Sequence, residues 1–102
     1  MSGRFGSADL VAGSATLLCT AAAGKTPTVN VRIANRNDSP VIIHVAVGAG
    51  VTPIAKDYIA YNQIIEPYGV YEDTGIVMSA LENLWVTSDS DNVSARIHGF
   101  GE

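Results

Sequence analysis

The chain has 102 residues, 47% of them hydrophobic and only 16% charged, with a net charge of −4 and a pI near 4.9. That length holds one hydrophobic core and no second domain, and the charged share falls well below the roughly 25% of an average soluble chain. No run of Lys or Arg is present to neutralise phosphates, no apolar run is long enough for a spanning helix, and the single cysteine, Cys19, forbids an intrachain disulfide; neither nucleic acid nor membrane is an expected partner.

The first residues, Met1-Ser2-Gly3-Arg4-Phe5-Gly6-Ser7, have no apolar stretch behind their charge, so no secretory signal is expected and synthesis in a reducing cytoplasm is. Residues 1–8 read as a glycine- and serine-rich N-terminal arm, with Arg4 and Phe5 its candidate anchors on a neighbouring subunit, and residues 9–102 as the folded domain. Ala15-Thr16-Leu17-Leu18-Cys19-Thr20 reads as a strand, with Cys19 a small buried hydrophobe. Gly24-Lys25-Thr26 looks like the end of a phosphate-binding loop, but the first glycine of that motif falls on Cys19 and Pro27 opens a strand where a helix is required. The expected structure there is a turn.

The strongest signal is period-two alternation. In Thr28-Val29-Asn30-Val31-Arg32-Ile33 one face carries Val29, Val31 and Ile33; in Val41-Ile42-Ile43-His44-Val45-Ala46-Val47 it is Val41, Ile43, Val45 and Val47. The turn-forming residues 35–40 lie between them, which predicts a β-hairpin. Tyr58–Ile65 is a further strand closed by Glu66-Pro67-Tyr68-Gly69. Val70 and Tyr71 open another, Gly75–Met78 reads as a short separate one, and Asn83–Thr87 and Val93–Phe100 complete the set, with an Asx-rich hairpin turn at 88–92. Only Ser79–Glu82 suggests a helical turn. Seven to eight antiparallel strands separated by turn signals predict an all-β sandwich, jelly-roll or immunoglobulin-like, without choosing between them.

Catalytic and metal chemistry find little support in the residue pattern. His44 and His98 have no metal-ligand spacing. Asp89, Asp91 and Asn92 lack the glycine and distal glutamate of a calcium loop, and no G-x-S-x-G elbow is present. The expectation is a non-enzyme with no cofactor and no metal. All four tyrosines, Tyr58, Tyr61, Tyr68 and Tyr71, crowd into one short stretch, and tyrosine offers rigid contact area with a polar tip. They join Arg4, Phe5 and Phe100 as candidate interface residues. An odd spacing puts Tyr58 and Tyr61 on opposite faces of a regular strand, which disfavours a flat saccharide platform unless a bulge intervenes.

The string Ala23-Gly24-Lys25-Thr26-Pro27-Thr28-Val29-Asn30-Val31-Arg32-Ile33-Ala34-Asn35-Arg36 resembles a recurrent opening in small virion proteins of tailed bacteriophages. Asp57-Tyr58-Ile59, Gly75-Ile76-Val77-Met78-Ser79-Ala80 and Val93-Ser94-Ala95-Arg96-Ile97-His98-Gly99-Phe100 are similar to the same family, so the resemblance spans most of the chain from about Leu17. It implies a β-sandwich virion component made in the bacterial host cytoplasm. The first expectation is a capsid decoration (cement) protein on the capsid surface, bound to the major capsid protein and forming a homo-oligomer, with a trimer favoured. The alternative is a head-tail, tail or fibre part, including a glycan-binding host-recognition module.

Overall fold

The computed structural model describes the backbone of residues 2–100 and the side chains of residues 6–99. Eight strands form: β1 (Ser2–Leu10), β2 (Thr16–Thr20), β3 (Thr28–Asn35), β4 (Val41–Gly48), β5 (Tyr58–Ile65), β6 (Val70–Val77), β7 (Asn83–Ser88) and β8 (Val93–Phe100), with one 3₁₀ turn at Ala55–Asp57. All pairings are antiparallel. Two four-stranded sheets result, sheet A in the order β1-β8-β3-β6 and sheet B in the order β2-β7-β4-β5. The core lies between them, where Val29, Val31, Ile33, Val41, Ile43, Val45, Leu84, Val86, Val93 and Ile97 are all fully buried. The alternation read from β3 and β4 is therefore the burial pattern itself: a β-sandwich, in which each strand turns its apolar face inward.

Four local expectations are corrected. β3 and β4 are not a hairpin, because β3 belongs to sheet A and β4 to sheet B; their apolar faces meet across the core instead of lying side by side. β7 and β8 likewise sit in different sheets, so residues 88–92 arch between sheets. Only β4 and β5 are both consecutive in sequence and paired. The segment expected as an arm is, from Ser2 onward, the edge strand β1, laddered to β8 from Ser2↔Phe100 to Leu10↔Val93. Small residues suffice for that ladder because it is made by backbone groups, and Leu10, 2% exposed, pins the strand to the core. The side chains of Arg4, Phe5 and Phe100 lie outside the described residues. Gly75–Met78 is not a separate strand either, since β6 runs to Val77 with a bulge at Gly75.

The bulges fall in a pattern. The interior pairings β3–β8 and β4–β7 keep unbroken register. Every edge strand carries an extra residue: Phe5 in β1, Leu18 in β2, one residue around Asn62 and another at Ile59 in β5, and one at Thr74–Gly75 in β6. Bulged edges twist away from the flat geometry that a further strand would need, which protects a sandwich against edge-to-edge association. In two cases a side chain of the inner strand satisfies the bulge. Asn30 Oδ1 accepts the N–H of Gly75 at 3.0 Å, where φ is +72° and glycine costs least, and His44 Nδ1 accepts the N–H of Asn62 at 3.0 Å.

Asn35 organises one end of the sandwich. It is 2% exposed, and its Nδ2 donates to the carbonyls of Ser39 (2.8 Å), Ile65 (3.2 Å) and Glu66 (3.1 Å), while Oδ1 accepts the N–H of Asn37 at 2.9 Å. One side chain thus joins the end of β3 in sheet A, the β3–β4 arch and the end of β5 in sheet B. Tyr68 N–H to Asn37 O and Arg36 N–H to Asn92 O tie the β5–β6 and β7–β8 arches to the same point.

Cys19 is half-buried against the core with its thiol toward the Met78 sulfur, 3.9 Å away. Burial pushes it from the ordinary 9.0 up to about 11. At pH 8 its alkylation by iodoacetamide is expected to run roughly two orders of magnitude slower than that of an unperturbed thiol, read by mass spectrometry; a free-cysteine rate would contradict the burial. The folded state holds the proton more tightly, so this contribution to stability is complete below about pH 9 and is lost as pH rises toward about 11. Cys19→Ala is expected to flatten that alkaline loss.

Candidate docking face

The two outer faces differ in chemistry. On sheet A the outward positions carry Thr28, Asn30, Arg32 and Glu72, with the exposed Val70 and Val77 at the two ends of β6, and ion pairs join Arg32 to Glu72 at 3.1 Å and Arg36 to Asp9. On sheet B, register sets Leu17, Trp85, Ala46 and Tyr58 in one row across β2, β7, β4 and β5. The next row holds Thr87 and His44 with Tyr61 beside them, and the third pairs Ile42 with Ile64. Leu17, Tyr61 and Ile64 are each more than half exposed. None of these outward positions is Asp, Glu, Lys or Arg. Asp89 borders the third row, but its carboxylate accepts the Ile42 N–H at 3.0 Å, which ties it to the sheet margin.

Trp85 and Ala46 also point outward, yet both are buried, at 4% and 1%. The connection between β4 and β5 returns over this end of the face. Asn83 Nδ2 donates to Gly50 O at 2.8 Å, and a Cβ on Gly48 would overlap the Asp57 carboxylate. Asp57 in turn accepts the Ile54 N–H at 3.0 Å, which closes the short 3₁₀ turn. The protein's own loop thus covers one end of an apolar face and leaves the other open.

The four tyrosines do not form one surface. Tyr68 is exposed in the β5–β6 turn with φ +56°. Tyr71 faces inward from β6, half-buried against the core, where burial first, and then the neighbouring Asp73 carboxylate, raise its phenol above the ordinary range. Tyr58 and Tyr61 are the correction. The extra residue at Ile59 shifts the parity of β5 between them, so the two rings share the outer face. Their centroids are 5.2 Å apart at 78°, and His44 stands 4.3 Å from Tyr61 and 5.8 Å from Tyr58. Edge-to-face contacts of this kind contribute about 0.5–1.5 kcal/mol each beyond burial, and the Asn62 N–H on Nδ1 leaves neutral His44 with its proton on Nε2. The cluster is a preformed aromatic knob.

Other candidates resolve into structural duties. His44 and His98 lie in different sheets and do not meet. Asp89 and Asp91 hold the backbone N–H groups of Ile42 and Ala12; among the described residues no three of His, Cys, Asp or Glu converge as metal ligands do. The sequence pattern points to the tyrosines but not to Leu17, Ile42 and Ile64. Ile42 was legible, because it occupies a polar-face position of a strand whose opposite face is already apolar. Leu17 was hidden by the bulge at Leu18, which turns Leu17 outward and Cys19 inward although a regular strand would set those two on one face. No family model, curated protein sequence or solved structure matches this chain.

Proposed function

We propose that this protein is a non-catalytic structural part of a bacteriophage virion: a capsid decoration protein that seats the outer face of sheet B against the major capsid protein, as a small homo-oligomer for which a trimer is favoured. The observation that carries the reading is the contrast between an uncharged, partly open apolar face on sheet B and an ion-paired face on sheet A. Large exposed side chains gathered on one face mark an interaction surface, and bulged edges direct association to faces instead of edges.

The strand order supports the same reading. Pairing of β1 with β8, and the sequences 1-8-3-6 and 2-7-4-5, fit a jelly roll of two Greek keys, an architecture that recurs in viral capsid and lectin domains. An immunoglobulin-like order would place the first strand beside the second. Energetics favour an array. Seating Leu17, Ile42, Tyr61 and Ile64 stabilises a contact by roughly 1 kcal/mol for each half-exposed side chain, which one copy spends against an association cost of about 4 kcal/mol or more. Copies linked in an oligomer on a repeating shell bind through avidity.

A second reading, a tail- or fibre-associated module that binds glycans, draws on the Tyr58–Tyr61–His44 cluster. The 78° angle between the tyrosine planes leaves one ring at a time to stack on a sugar. Fractionation of virions of the phage that encodes the chain separates the readings. Decoration predicts the protein on DNA-free capsid shells in many copies; recovery on isolated tails alone contradicts it.

A further inference from the structure

The outer face of sheet A holds a depression of about 490 Å³ lined by Ser7, Asp9, Arg32, Arg36, Ser94 and Arg96. Three of the chain's six basic residues therefore line one hollow of an acidic protein. Register sets Ser7, Arg96, Arg32 and Glu72 in one row across β1, β8, β3 and β6. Two guanidinium groups on directly opposed strand positions repel each other. At the β6 side the row is balanced, since Glu72 holds Arg32 at 3.1 Å, and in the adjoining row Asp9 holds Arg36. At the β1 side, where a carboxylate would complete the alternation, the residue is Ser7. Among the described residues, Arg96 has no carboxylate within ion-pair distance.

We infer that this hollow is a docking site for one carboxylate side chain, an Asp or Glu of a partner polypeptide, seated between Arg96 and Ser7. Charge decides the class of ligand: among the described residues, three guanidiniums against two carboxylates leave a single positive charge, which suits one carboxylate and not a polyanion such as nucleic acid. Arg96 supplies a planar fork that pairs with both carboxylate oxygens, and the Ser7 and Ser94 hydroxyls can donate beside it. The site is independent of the apolar face on sheet B, and either can fail without the other.

The test is an NMR titration of the arginine Nε–H signals of the full chain with an end-blocked Gly-Glu-Gly peptide, and separately with inorganic phosphate and an oligogalacturonate. The expected result is a saturable shift at Arg96 with the peptide, weakened with added salt; in Arg96→Gln, read at the Arg32 and Arg36 signals, the peptide binds at least tenfold more weakly. Ser7→Glu supplies the carboxylate within the chain; it is expected to abolish the peptide response and to raise the urea midpoint at low salt. No saturable shift with the peptide, or unchanged peptide binding in Ser7→Glu, overturns the inference. So does a stronger response to phosphate or oligogalacturonate than to the peptide, which would assign the site to a free anion or an acidic polysaccharide.

Discussion

Asn35→Asp is expected to destabilise the protein by about 3–5 kcal/mol, the cost of leaving a buried charge without a partner. The substitution keeps the shape of the side chain and reverses the sense of its hydrogen bonds. Nδ2 now donates to three carbonyls, on Ser39, Ile65 and Glu66; a carboxylate at that point donates to none and is repelled by all three. Asn35→Leu keeps the site neutral but strands the same carbonyls and the Asn37 N–H, and is expected to cost about 2–3 kcal/mol. Because a domain of this size has roughly 5–15 kcal/mol in total, the Asp variant approaches global unfolding at room temperature. Urea unfolding followed by Trp85 fluorescence measures both, and acidification is expected to rescue part of the Asp loss, since a protonated carboxyl regains one donor. Variants within about 1 kcal/mol of the parent would mean that Asn35 does not hold the arches together.

The second large effect is on association. Tyr61 is 64% exposed and Ile64 56% exposed on the outer face of sheet B, so Tyr61→Ser with Ile64→Lys leaves the inter-sheet core intact while placing a charge on the open part of the apolar face. An unpaired ammonium buried in a contact costs several kcal/mol, enough to lower affinity by more than a hundredfold at each site. Val77→Lys supplies the control. It is equally exposed, at 65%, but stands at the end of β6 on sheet A.

The sequence was most informative where alternation is strict. Val29, Val31 and Ile33, and Val41, Ile43 and Val45, are the core in both readings, because a period of two reports which side chains face inward. It does not report which strand lies alongside. β3 and β4 were therefore read as a hairpin, although the same two apolar stripes are satisfied equally well face to face, and the arch between them is set by the contacts of Asn35 with residues thirty positions away. β1 was missed for the opposite reason: its ladder to β8 uses backbone groups, and with five of its nine residues glycine, serine or alanine it shows no apolar alternation. The docking face failed on parity. The extra residue at Ile59 resets the count that separates Tyr58 from Tyr61, the bulge at Leu18 turns Leu17 to the face opposite Cys19, and neither residue type announces a bulge in advance.

The most direct test of the assembly reading is co-sedimentation with capsid shells depleted of the protein, comparing the parent chain, the Tyr61→Ser/Ile64→Lys variant and Val77→Lys, after circular dichroism has shown equal thermal stability. The parent and Val77→Lys are predicted to pellet with the shells to the same saturating level, while the double variant stays in the supernatant. Pelleting of the double variant at the parent's level would contradict a docking face on sheet B.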